Sequence, residues 1–146
     1  MLKGSLPEVF LNTDVAFDIL SKREPHYASS IKLLELAAKD QISLQIAESS
    51  IANLIYLSFD IYKLADAAPK LLDLIAACHV VHGGKPVVLE ALTSKFKDKE
   101  DALQYYTALH SGADYFVTRN TKHYKPSSRI LPVYKPLEFL RSIKDE

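Results

Sequence analysis

The chain has 146 residues, the size of one ordinary domain with room for a full core. Hydrophobic residues make up 48% and charged residues 25%, which excludes a disordered chain. The 18 basic and 18 acidic residues cancel, so the strongly basic composition of the simplest nucleic-acid binders is excluded as well. The charge is nonetheless segregated. From Phe116 onward the basic residues are Arg119, Lys122, Lys125, Arg129, Lys135, Arg141 and Lys144, against Glu138, Asp145 and Glu146.

Residues 8–11 form a short apolar run and the expected first strand. Residues 15–21 read as helix. Pro25 suits the first turn of a second helix, whose apolar positions Ile31, Leu34, Leu36 and Ala37 keep helical spacing. Ile42, Leu44 and Ile46 alternate with Ser43 and Gln45, a strand signal. Ser49 and Ser50 are N-cap candidates for a helix through Leu54 and Leu57. A further helix or pair is expected over 62–77, with Pro69 as a break or first-turn residue. A short strand over 79–82 ends at Gly83-Gly84. Residues 87–92 and 102–110 read as helices, and Gly112 sits where a C-cap glycine belongs. Strands are expected over 114–117 and 130–133, and Pro136 opens a last helix through Leu140. Strands alternating with helices predict an α/β fold with a mostly parallel sheet, and no linker or repeat divides residues 1–146, so one domain is expected.

Cys78 is the only cysteine, which rules out an internal disulfide and a thiolate zinc cage. Its apolar neighbours predict a buried small hydrophobe. No secretory leader or membrane-length apolar run is visible, so the cytoplasm is the expected location.

The chemistry concentrates in polar clusters beside hydrophobic runs. Asn12-Thr13-Asp14 follows Val9-Phe10-Leu11, and Thr118-Arg119-Asn120 follows Tyr115-Phe116-Val117. In an open parallel sheet the C-terminal strand ends share one rim, where ligands bind. A helix beginning at Asp98-Lys99-Glu100-Asp101 aims its carboxylates at the same rim. Converging carboxylate and amide oxygens suit a hard divalent cation.

These stretches carry a resemblance. Val9-Phe10-Leu11-Asn12-Thr13-Asp14-Val15, Ser49-Ser50-Ile51-Ala52-Asn53-Leu54, Lys97-Asp98-Lys99-Glu100-Asp101-Ala102-Leu103-Gln104-Tyr105 and Gly112-Ala113-Asp114-Tyr115-Phe116-Val117-Thr118-Arg119-Asn120 follow in the order of a PIN domain. Pro136-Leu137-Glu138-Phe139-Leu140 fits that family's closing helix. The chain most resembles its VapC-like toxin branch. The resemblance implies a three-layer α/β/α fold, Mg²⁺ or Mn²⁺ on a cluster of acids, and hydrolysis of single-stranded RNA. It also implies a small antitoxin partner and a homodimer.

The match departs from the family pattern at named places. The family usually has Asp-Thr-Asn at the first strand end; here the acid and the amide are exchanged. Asn12 offers a neutral oxygen or closes an Asx turn. Asp14 is a metal ligand or a helix cap. An acid of many relatives falls on Asn53, with Glu48 as a possible substitute or a plain surface acid. The third acid maps onto Asp101, which is intact. Asp98 and Glu100 are helpers at the metal or ordinary first-turn residues of a helix. Asn120 takes the fourth place, and His123 stands where relatives often carry an acid. Thr118 and Asn120 orient water or phosphate, or close a turn, while Arg119 and Lys122 hold the RNA backbone, or line a solvated face. Metal binding is expected to be weaker than on a full acidic quartet. Two functions follow: a metal-dependent endoribonuclease, or a catalytically weakened PIN-like module that binds RNA or a partner protein. An Asp-x-Asp phosphohydrolase is opposed by Asn12, since an amide forms no aspartyl-phosphate. The absence of a Gly-rich phosphate loop opposes nucleotide-binding folds.

Overall fold

The structure is a computed structural model and describes residues 5–124 and 130–144. Lys125 and Arg129, counted above in the basic tail, lie outside the described residues, as do Asp145 and Glu146. In chain order the elements are β1 (Glu8–Leu11), α1 (Thr13–Ser21), α2 (Tyr27–Ala38), β2 (Ser43–Ala47) and α3 (Glu48–Ile55). A π-helical turn (Tyr56–Ile61), α4 (Ala67–Ala76), β3 (Cys78–Val81), α5 (Gly84–Thr93) and α6 (Lys99–His110) follow. The chain continues through β4 (Tyr115–Val117), a 3-10 turn (Thr121–Tyr124), β5 (Val133–Tyr134) and α7 (Pro136–Lys144).

The strands pair in parallel in the order β3-β2-β1-β4-β5. Strand alternation divides the core in two, because successive side chains point to opposite faces. Val9, Leu11, Leu44, Ile46 and Val117 face one layer, where they pack with residues of α1, α2, α3, α4 and α7. Phe10, Ala47 and Phe116 face the other, against Ala91 of α5 and Ala102, Tyr105 and Ala108 of α6. The result is the expected three-layer α/β/α arrangement. Each such large apolar side chain, fully buried, contributes roughly 1.5–3 kcal/mol. On the second face Phe10 stacks on Phe116 at 5.2 Å and Tyr124 closes on Phe116 at 4.8 Å. That aromatic core anchors the 3-10 turn that follows β4.

Several boundaries differ from expectation, each for a local reason. α3 starts at Glu48, with Ala47 flanking it, so Ser49 and Ser50 lie inside the first turn and cap nothing. α2 begins at Tyr27, beyond Pro25, because the Tyr27 N–H closes a turn onto the Arg23 carbonyl (2.8 Å). The segment 62–66 is not helical: Lys63 and Asp66 take φ values of 47° and 56°, which a right-handed helix does not contain. Pro69 then falls in the first turn of α4. The strand expected over 130–133 is Val133–Tyr134 instead. Pro132 has no N–H to give to a ladder, and only its carbonyl pairs, with the Phe116 N–H at 2.9 Å. Cys78 is half-buried in β3, and burial pushes its thiol up to about 12. Among the described residues, no helix is long and apolar enough to cross a membrane.

Candidate functional site

Three elements meet at the C-terminal rim of the inner strands. β1 and β4 are adjacent, and the Asn12 N–H donates to the Val117 carbonyl at 3.0 Å, so both strand ends deliver their polar clusters to one place. α6 points its N-terminus at them. A cleft of about 260 Å³ opens between these parts, lined by Asn12, Thr13, Asp14, Ser49, Asn53, Asp98, Glu100, Asp101, Leu103, Gln104, Asn120 and His123. Thr118, Arg119, Lys122 and Glu48 do not line it.

The hydrogen bonds assign each side chain its local task. Asn12 is 7% exposed, and its Nδ2 donates to Thr118 Oγ1 at 3.2 Å, leaving its amide oxygen as the acceptor. Asp14 is heavily engaged. Its Oδ1 accepts from the Val15 N–H (2.7 Å), and its Oδ2 accepts from the Thr118 hydroxyl (3.0 Å), the Arg119 N–H (3.0 Å) and Asn120 Nδ2 (3.4 Å). Asp14 therefore clamps the turn after β4 onto the start of α1. Asp98 caps α6, accepting from the N–H groups of Glu100 (2.9 Å) and Asp101 (3.1 Å). Glu100 is exposed at the mouth of the cleft.

Asp101 lies deeper, its side chain 17% exposed. Its Oδ1 accepts from the Tyr124 hydroxyl at 3.2 Å, and its Oδ2 lies 3.0 Å from His123 Nδ1. Burial first, and then the neighbouring Asp98 charge, raise its carboxyl above the ordinary aspartate value, against the lowering effect of the His123 and Tyr124 hydrogen bonds. Burial of Tyr124 and the nearby Asp101 charge push its phenol far up, so it stays protonated and donates to Asp101.

Two features escaped the sequence. A relay centred on the buried Ser50 joins three elements: Thr13 Oγ1 donates to Ser50 Oγ (2.8 Å), Ser50 to Gln104 Oε1 (2.7 Å), and Gln104 Nε2 to Ser49 Oγ (3.1 Å). The signal was Gln104 three residues after Asp101, on the same helix face. The second is Asp18, fully buried in α1, which binds the Arg119 guanidinium. A charge one turn after Asp14 among Val15, Phe17 and Ile19 was its trace. Lys122 is exposed on the 3-10 turn, and Glu48 is exposed at the start of α3.

The donors around the cleft are oxygens plus one ring nitrogen. Among the described residues no three acidic, histidine or cysteine side chains converge into a metal cage. Such a set does not fit zinc. It fits Mg²⁺ or Mn²⁺ held through one or two carboxylates, with water and substrate phosphate completing the shell. Asp101 is the side chain best placed to hold it, with Asn12 and Asp14 across the cleft.

A parallel sheet sandwiched by helices, with an acid-and-amide cleft at its C-terminal rim, defines a PIN-type α/β/α domain. The chain belongs to the PIN domain family, whose model matches residues 8–122, and within it resembles the VapC-like members. It is 23% identical over 129 residues to Ribonuclease VapC1 of Aquifex aeolicus (strain VF5), covering 85% of this chain and 89% of that protein. Among solved structures it is similar to VapBC2 from Rickettsia felis bound to a DNA fragment from their promoter, with a TM-score of 0.66 and 18% identity over 86% of this chain and 98% of that one. It is also similar to PAE2754 from Pyrobaculum aerophilum, with a TM-score of 0.61 and 17% identity over 97% of this chain and 100% of that one. The Mycobacterium tuberculosis VapC20, a Sarcin-Ricin loop cleaving toxin, gives a TM-score of 0.53 at 10% identity, over 74% of this chain and 86% of that one.

Proposed function

We propose that this protein is a metal-dependent endoribonuclease that hydrolyses single-stranded RNA, the toxin of a toxin–antitoxin pair working in the cytoplasm. The observation that carries this reading is the position of Asp101: a desolvated carboxylate at the start of α6, facing the polar ends of β1 and β4 across one cleft. A bound Mg²⁺ or Mn²⁺ would offset phosphodiester charge and lower the pKa of a bound water. Asp101 is the principal ligand. Asn12 and Asp14 contribute directly or through water, and Asp98 and Glu100 add negative potential at the mouth. Asn53 and Asn120 orient water or phosphate from opposite sides, and Thr118 holds Asn12 and Asp14 in register through its hydroxyl. His123 Nδ1 and the Tyr124 hydroxyl fix the rotamer of Asp101. Lys122, on the rim, meets the RNA backbone. The relative named Ribonuclease VapC1 supports the enzyme, and the similar VapBC2 structure supports the antitoxin partner.

A weakened or inactive module that binds RNA or a protein is the second reading. It is favoured by the amides at Asn12, Asn53 and Asn120 and by a donor set short of a full cage. One experiment separates the two. Purified protein is incubated with single-stranded RNA and Mn²⁺, Mg²⁺ or chelator, beside Asp101→Ala and Asn12→Asp. Cleavage should require metal, fall at least about tenfold in Asp101→Ala, and rise in Asn12→Asp, which adds a hard anionic ligand at nearly constant volume. The Mn²⁺-induced rise in melting temperature should be larger for Asn12→Asp than for the wild type, since a ligand that binds only the native state raises its apparent stability. Equal cleavage by wild type and Asp101→Ala would remove the enzyme reading.

A further inference from the structure

A second cavity, of about 270 Å³, opens beside the cleft and shares Thr13 and Asp14 with it. Its chemistry differs, because two arginines line it. Both stand on Asp18, whose side chain is fully buried: Arg119 donates to it through Nε and Nη2, and Arg23 Nε lies 4.0 Å from its Oδ1. One buried carboxylate thus holds two guanidiniums side by side, and with Asp14 on the same wall the formal charges balance, so what the cavity offers an anion is directed N–H donors and not an excess of charge. At 4.0 Å the Arg23 guanidinium makes no hydrogen bond to the Asp18 carboxylate, and among the described residues no other group accepts from it; the backbone of Arg23 pairs with the Asp18 carbonyl and the Tyr27 N–H. The guanidinium N–H donors remain available to an incoming acceptor. No hydrogen bond joins Asp14 to Arg23: the Asp14 oxygens accept from Val15, Thr118, Arg119 and Asn120.

The Arg23 guanidinium also lies over two rings, 5.3 Å from the Phe17 centroid and 5.7 Å from that of Tyr62. Stacking fixes the guanidinium plane at little entropic cost. Tyr62 follows the π-helical turn and is 51% exposed. Such turns recur at functional sites, and this one delivers an aromatic surface to the mouth of the cavity that the two arginines line.

We propose that this cavity is a nucleotide subsite: Arg23, with Arg119 beside it, takes a backbone phosphate of single-stranded RNA, and the Tyr62 ring receives the adjoining base. The subsite rests on the ribonuclease reading and extends it to how the strand is held away from the scissile bond. A guanidinium fork matches phosphate oxygens, and an aromatic face accepts any base by stacking. The cavity and the cleft are neighbours that share a wall at Thr13 and Asp14.

The test reads binding without turnover. A fluorescein-labelled ten-nucleotide RNA and an abasic strand of the same length are titrated in chelator with wild type, Arg23→Gln, Tyr62→Leu and Tyr62→Phe. Arg23→Gln should weaken both strands about tenfold and reduce the salt dependence by about 0.7 in logarithmic slope, the value for one phosphate contact on a single strand. Tyr62→Leu should weaken the base-bearing RNA about tenfold and leave the abasic strand unchanged, while Tyr62→Phe keeps wild-type affinity. Should Tyr62→Leu fail to fold, Arg23→Gln and the preference of the wild type for bases over the abasic strand decide the matter. Wild-type RNA binding matched by Arg23→Gln, with no preference for bases, would overturn the subsite while leaving the ribonuclease reading intact, and would give the cavity to a protein segment. A wild type that neither binds nor cleaves RNA would overturn both.

Discussion

Asp101 is held under electrostatic load. Burial and the Asp98 charge raise its carboxyl in the folded state, so folding favours the protonated form. The sign of the linkage follows. Between the unfolded value and the raised folded value the native state binds more protons, and stability falls as pH rises through that window. Above it the full penalty of a buried charge is present; below the ordinary aspartate value it vanishes. Asp101→Asn should therefore melt higher than wild type at neutral pH in chelator. A gain of about 2–4 °C would correspond to one kcal/mol in a chain of this size. The gap should close as pH falls below the carboxylate range, and thermal melts across pH read it directly. A variant that destabilises at neutral pH would mean that the hydrogen bonds from Tyr124 and His123 outweigh desolvation. A side chain that costs stability is typical of a site kept for function.

Among the elements, α6 carries the most. Its N-terminal end combines the partial positive charge of the helix dipole with the first-turn acids Glu100 and Asp101, and Asp98 closes it with two backbone hydrogen bonds. Asp98→Ala should cost about 1 kcal/mol, the usual loss for an N-cap, whereas Asp98→Asn should retain nearly all the stability because asparagine caps equally well. Denaturant midpoints in chelator compare the two. This helix start, β1 and β4 were legible in the sequence, because cap residues and alternating apolar runs are local signals. The π-helical turn and β5 were not. The first closes on i→i−5 bonding such as the Tyr62 N–H on the Leu57 carbonyl (2.8 Å), which no apolar spacing records, and the second depends on Pro132, whose carbonyl pairs with β4 only once the sheet exists. Ser49 and Ser50 were legible as important and misread in kind. They look like caps in isolation, and in the fold their hydroxyls reach Gln104.

Across the whole molecule, the sheet order places β1 between β2 and β4, and with it Asn12 and Asp14 between α3 and the turn after β4. That is why the acid and amide positions could be gathered from sequence order and family resemblance, while their partners could not. Asp18 meets Arg119 across 101 positions, and Ser50 meets Gln104 across 54. No local pattern records such pairings. The α3 side also exposes apolar residues in succession, Ile55, Tyr56, Phe59 and Ile61, each 44–54% exposed, whereas Leu64 packs against the core. Contiguous apolar surface of this kind marks an interface. Sedimentation at micromolar concentration should show a dimer, and Phe59→Glu should shift it toward the 16.4 kDa monomer. A wild type that sediments only as a monomer would assign the patch to another protein.

The clamp between Asp14 and the Thr118–Asn120 turn also has a temporal side. Asn12 and Thr118 are 106 positions apart, and neither polar cluster is ordered by its own neighbours alone. Closing so long a loop costs entropy before any contact returns it, and pairings of this range form late. During synthesis the first half of the cleft waits, incomplete, while more than a hundred residues are added. The rim is among the last parts of the molecule to assemble, so a growing chain carries β1, α1 and β2 long before it carries a complete cleft.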